Sequence, residues 1–145
     1  MDSRVNRSAK TPRSAAKNPS STFTSDYLDV DHWPYGWSHE RRDLLVAERI
    51  LSIFKAFLFY LLDQGLSQKT LLLHREHVRA LGEEVIRRLK PQWRRQNMAP
   101  VLFVFIDEDG GPVIYPPTSS SKQHSFDSTC LKLRQFLLDS NRTSK

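Results

Sequence analysis

A single cysteine, Cys130, stands in the 145 residues of this chain. One thiol makes neither an intrachain disulfide nor a metal cage, so a reducing, cytoplasmic compartment is the expectation. Long apolar runs are lacking as well. The longest candidate, Ile50 to Leu62, is interrupted by Ser52 and Lys55 and falls short of the ~20 residues that span a bilayer, so no membrane is expected as a partner. No apolar stretch precedes Phe23, which argues against a secretory leader. The start of the chain is rich in Arg and Ser and poor in acids, as transit peptides are, but Pro12 and Pro19 interrupt it and it has no amphipathic period. Also missing are a glycine loop that cradles phosphate, a nucleophile elbow, and the His-x-Glu or Cys-x-x-Cys spacing of a zinc site. No nucleophile is visibly paired with a base. The chain is therefore expected to be no enzyme, and no cofactor, metal or small-molecule substrate is expected.

What is present is positive charge. The formal net charge is +6 and the pI about 9.7, a balance that favours a polyanionic partner. The bases are unevenly placed. Residues 1–25 carry Arg4, Arg7, Lys10, Arg13 and Lys17 against Asp2, among Ser, Thr, Ala, Asn and Pro. Such a segment buries too little apolar surface to offset its ordering entropy, and reads as a disordered basic tail: a nucleic-acid-scanning arm or a solubilising leader. Residues 26–37 change character, with Asp26, Asp29 and Asp31 among aromatics. The acids lack the glycine turn and distal glutamate of a calcium loop. Pro34 and Gly36 are expected to keep Trp33, Tyr35 and Trp37 out of helix, in an extended strap packed on the helices behind it.

Two amphipathic runs follow. Residues 38–64 place Leu44, Ala47, Leu51, Phe54, Leu58 and Leu61 on one stripe, widened by Ile50, Phe57 and Leu62, with Ser38 or His39 at the helix start and Gly65 as a left-handed stop. Residues 67–90 form a second helix, capped by Ser67 with Thr70 beside it and stopped by Pro91. Leu71, His74, Val78, Leu81, Gly82, Val85 and Leu89 line its inner face; Lys69, Arg75, Arg79, Glu83, Arg87 and Lys90 lie opposite. Gly82 costs about 1 kcal/mol against Ala within a helix, which a close helix crossing would compensate. The short connection makes the two helices an antiparallel hairpin. Beyond it, 100–115 reads either as a short buried helix with Pro100 at its first position, or as a hairpin pairing Val101–Ile106 with Val113–Tyr115 around Asp109-Gly110. Residues 116–124 read as a loop, and 125–138 as a last helix with Phe126, Cys130, Leu133, Phe136 and Leu137 on one face. The fold class expected is mainly α: a small bundle in a single domain, 38–139, with a disordered tail at 140–145.

Residues 38–98 hold twelve bases and seven acids. Bases at helical spacing can meet successive phosphates, but the interleaved Glu76, Glu83 and Glu84 leave a second reading open, a salt-bridged solvent face. His74 and His77 are three apart without a third ligand, so a metal is not expected.

The run Phe57-Leu58-x-x-Leu61-Leu62-x-x-Gly65-Leu66-Ser67-x-x-Thr70-Leu71 resembles the N-terminal SAM-like, core-binding domain of tyrosine recombinases and phage integrases. There a helical module clamps DNA opposite the catalytic domain. The resemblance, over about residues 44–90, implies that Ser67, Lys69 and Thr70 approach phosphate, with Arg75 and Arg79 further along. The Arg94-Arg95 pair is the remaining candidate DNA contact. Leu81 to Arg87, Asp107 to Pro112 and Ser125 to Cys130 look like small bacterial integrase-like proteins that lack the catalytic domain. That likeness, over roughly residues 40–138, implies an all-helical fold and no known activity; a bacterial mobile element is the expected setting. The Arg…His-x-x-Arg…Tyr arrangement of the recombinases is absent, so strand cleavage is not implied. The expectation is a non-catalytic DNA-binding module; the alternative is a protein-interaction or dimerisation module.

Overall fold

A computed structural model of the chain describes residues 21–114 and 117–143. Its elements are α1 (Ser21–Tyr27), α2 (Trp33–Trp37), α3 (Arg41–Leu62), α4 (Gln68–Arg88), a 3-10 turn (Pro91–Trp93), α5 (Met98–Phe105) and α6 (Ser120–Thr143). Among the described residues the protein is mainly helical, without strands, as a small helical bundle should be. The antiparallel pair α3–α4 is its frame. The short α1 and α2 lie on α4, α2 also touches α3, α5 covers another side of α3, and α6 packs on α4.

The frame follows the apolar pattern closely. Ala47, Leu51, Phe54, Leu58 and Leu61 of the predicted stripe are buried, as are Ile50 and Phe57. All seven residues assigned to the inner face of α4 are buried, His74 included. Gly65 takes a φ of 73°, the left-handed conformation expected of it. Ser67 caps α4, its Oγ accepting from the Thr70 N–H at 3.1 Å.

The N-terminal reading is corrected. Residues 26–37 are not an extended strap, and order begins before residue 25: α1 and α2 are helical turns. Pro34 sits in the first turn of α2, where its missing N–H is not needed. A five-residue helix has no intrinsic stability; burial holds it. Tyr27, Val30, Trp33 and Trp37 all join the core, and the Tyr27 hydroxyl donates to the Leu58 carbonyl at 3.0 Å. Tyr35 alone among the three expected rings faces solvent. The first twenty residues of the predicted tail lie outside the described residues.

Other boundaries move for local reasons. Ser38 ends α2 rather than starting α3, its Oγ donating to the Pro34 carbonyl at 2.7 Å. The cap of α3 is Glu40, and the Asp43 carboxylate accepts from the His39 and Glu40 N–H groups at 3.1 and 3.2 Å. The segment after residue 97 resolves to a helix, but Asn97 caps it and Pro100 is its third residue, not its first. Of the hairpin alternative there is one isolated bridge, Asp107 to Gly110; Tyr115 lies outside the described residues. The last helix starts five residues early, at Ser120, and runs through the predicted tail to Thr143. Ser119 accounts for the early start, accepting from the Lys122 N–H at 3.2 Å. Gly82 is compensated by a ring rather than a helix crossing: a Cβ there would lie 2.2 Å from the Trp37 indole. That indole donates from Nε1 to the Arg79 carbonyl at 2.9 Å.

Candidate nucleic-acid interface

Ser67, Lys69 and Thr70 stand together at the start of α4. The Ser67 hydroxyl donates to Thr70 Oγ1 at 3.0 Å while accepting the Thr70 N–H, so the two hydroxyls satisfy each other. Lys69 is exposed and makes no ion pair among the described residues. It is the free cation of this end.

Arg75 does not face solvent as its helical position predicts. Its guanidinium turns onto the end of α1, donating to the Tyr27 carbonyl at 2.9 Å and the Asp29 carbonyl at 3.0 Å. It also lies over the Trp33 ring, 5.2 Å from the centroid. Helical spacing could not show this, because the carbonyls come from 46 and 48 residues earlier. Arg79 is exposed but paired with Glu76 at 2.9 Å. Arg88 reaches the buried Glu84 at 3.1 Å, and Arg87 pairs with the same carboxylate. On this face Arg79, Arg87 and Arg88 are thus ion-paired, whereas Glu83 and Lys69 form no ion pair among the described residues.

Arg94 and Arg95 lie at the other end of the hairpin. Nineteen residues of helix separate Lys69 from Arg88, about 28 Å at 1.5 Å per residue. The seven predicted contacts therefore do not converge. Arg94 serves the fold: its Nη1 donates to Asp43 Oδ1 at 2.5 Å, tying the chain after α4 to the start of α3. Burial pushes the Asp43 carboxyl up, but the Arg94 bond, the two N–H donors and the Arg94 charge outweigh it and hold it below the usual range. Arg95 is exposed and unpaired among the described residues.

These two arginines meet residues that the sequence did not single out. An open cleft of about 880 Å³ is lined by Arg42, Leu45, Val46, Glu48, Arg49, Ser52, Arg94 and Arg95. Arg49 donates to the Gln96 carbonyl at 3.4 Å and to the Arg94 carbonyl, fixing the 94–96 turn beside α3. Arg42 pairs with Glu40 at 2.6 Å. That leaves Arg49 and Arg95 as cleft cations with no carboxylate partner among the described residues. Forty-five residues separate Arg49 from Arg94, and no sequence signal joins them.

The remaining chemistry-bearing residues are inside. His74 Nδ1 and His77 Nδ1 both lie on Thr129 Oγ1, at 2.6 and 2.7 Å. Burial, helped by the charges of Lys132 and His77, brings the His74 imidazole down to about 4. Burial also lowers His77, against a weaker pull upward from Glu76. No group of three metal-binding side chains occurs among the described residues. Cys130 is buried, and burial followed by the nearby Asp127 charge pushes its thiol far above the ordinary range, away from nucleophilic use. No described helix is long and apolar enough to cross a membrane.

No protein-family model, no curated protein and no solved structure matches the chain.

Proposed function

We propose that the chain is a non-catalytic helical module that binds DNA through its phosphates. The observation that supports this reading is the open cleft on whose walls four arginines stand against one carboxylate, Glu48, with Arg49 and Arg95 in no ion pair among the described residues. Lys69 adds a second contact at the far end of α4, and the five bases of residues 1–25 supply an electrostatic arm. The likeness of Phe57–Leu71 to the core-binding domain of integrases points the same way. Arg75 and Arg94 hold the fold in this reading, and Arg79 contributes little beyond its pair with Glu76. Binding of this kind releases counterions, so log affinity falls with log salt by about 0.9 per neutralised phosphate.

Fluorescence anisotropy with a labelled duplex at low and physiological salt tests it. The charge reversal Arg95→Glu is expected to weaken binding and to flatten the salt slope by about one unit. An absence of binding at low salt overturns the reading.

A second reading rests on α3. Leu45 and Phe59 are 72% and 52% exposed and share one face with Ser52 and Ala56. This face suits a protein partner or a second copy. A concentration-dependent mass in light scattering, unchanged by DNA, favours it. Trp33 and Trp37 cannot serve such a partner, because both are in the core.

A further inference from the structure

Where α4 meets the start of α6 there is a separate cavity of about 300 Å³, lined by Leu73, His77, Ile114, Thr118, Lys122 and Ser125. Its loop wall is pinned on both sides. The Ile114 N–H donates to Gln123 Oε1 at 3.0 Å, Gln123 Nε2 donates to the Pro112 carbonyl at 3.1 Å, and Arg88 Nη2 donates to the Val113 carbonyl at 2.9 Å. The 112–114 side of the wall is therefore held without a ligand. The walls combine the apolar surfaces of Leu73 and Ile114 with one ammonium, two hydroxyls and one imidazole, and no carboxylate lines them among the described residues.

The proton on that imidazole can be placed. Thr129 has one hydroxyl proton and two Nδ1 neighbours, so it donates to one ring and accepts from the other. His74 Nε2 is buried without a hydrogen-bond partner. An orphaned buried N–H is rarer than an orphaned acceptor, so the His74 proton belongs on Nδ1, where it donates to Thr129. Thr129 then donates to His77 Nδ1, and the His77 proton sits on Nε2. The Thr129 bond and the edge-on Phe126 ring, 5.9 Å between centroids, fix the imidazole. Nε2, the ring nitrogen of this cavity-lining histidine that is not bonded to Thr129, is thus a donor.

We propose that this cavity binds a small organic carboxylate, which accepts from His77 Nε2–H and pairs with the Lys122 ammonium while its hydrocarbon body lies on Leu73 and Ile114. One cation and neutral donors match a single negative charge; a phosphate dianion would keep an uncompensated charge. The positive end of α6, within whose first two turns Lys122 and Ser125 stand, adds to the preference for an anion.

Benzoate and its neutral isostere benzamide are suitable probes for an NMR titration of the full chain at pH 7. Benzoate is expected to give saturable shifts at the Leu73 and Ile114 methyls and the His77 ring. The Lys122→Gln variant, altered only at an exposed side chain, is expected to bind benzoate about tenfold more weakly, the worth of one charge-assisted hydrogen bond. Benzamide should fall behind benzoate to a similar degree. Imidazole ¹⁵N shifts of the free protein should place the His74 proton on Nδ1 and the His77 proton on Nε2. Absent shifts, equal affinities of the two probes or of the two proteins, or reversed tautomers overturn the proposal. None of these results depends on whether the arginine cleft binds DNA.

Discussion

Arg75 shows how far a charged side chain can be from the role its spacing suggests. Its guanidinium replaces water at two carbonyls of the N-terminal turn and stacks on Trp33. Hydrogen bonds to a charged group are each worth about 1.5–3 kcal/mol, and truncation also uncovers the ring. Arg75→Ala is expected to cost about 2–3 kcal/mol in urea unfolding, while DNA affinity per folded molecule stays unchanged. Arg79→Ala should shift stability by no more than about 0.5 kcal/mol, as exposed pairs do. His74 makes a second residue-scale prediction. In the unfolded chain its imidazole titrates near 6.5, in the folded one near 4. Below pH 6.5 the unfolded chain takes up a proton that the folded chain refuses, so stability declines as pH falls toward 4 and is level above 6.5. At about 1.4 kcal/mol per pH unit the loss reaches about 3 kcal/mol. Urea midpoints at pH 7 and pH 4.5 check it, and His74→Gln should remove the His74 share of the difference, leaving the smaller one of His77, whose imidazole burial also lowers.

At the scale of elements, Gly82 pits propensity against space. Alanine would gain about 1 kcal/mol as a helix former. Its methyl would also lie on the Trp37 indole, whose Nε1 bond to the Arg79 carbonyl resists displacement. Overpacking typically costs 1–3 kcal/mol, so Gly82→Ala is expected to lower stability by about 1–2 kcal/mol and to change the near-ultraviolet tryptophan signal. The helices that could be read in advance are those whose own residues determine them. The α3 stripe, the Gly65 stop and the Ser67 cap are local signals, and each stands as expected. Helix α2 was not legible, because Trp33-Pro34-Tyr35-Gly36-Trp37 opposes helix locally and becomes helical only when its indoles are buried. The start of α6 was placed late because Ser119 sits in a polar stretch with no apolar period behind it. The candidate interface divided in the same way: the cap residues could be read, whereas the union of Arg49 with Arg94 and Arg95 depends on tertiary packing alone.

For the whole molecule, the N-terminal turns are part of the core rather than an appendage. Burying Tyr27, Val30, Trp33 and Trp37 contributes about 1.5–3 kcal/mol each, a total comparable to the entire stability of a domain this size. A chain beginning at Ser38 is therefore expected to lose cooperative thermal unfolding in circular dichroism. The same arrangement bears on the order of synthesis. The Tyr27 carbonyl waits 48 residues for Arg75, and the Tyr27 hydroxyl waits 31 for Leu58. At the ~5–20 residues per second of translation, the longer wait lasts about 2–10 s. During that time Tyr27 and the indoles of Trp33 and Trp37 have no partner surface to cover, and they are where a chaperone would find this nascent chain.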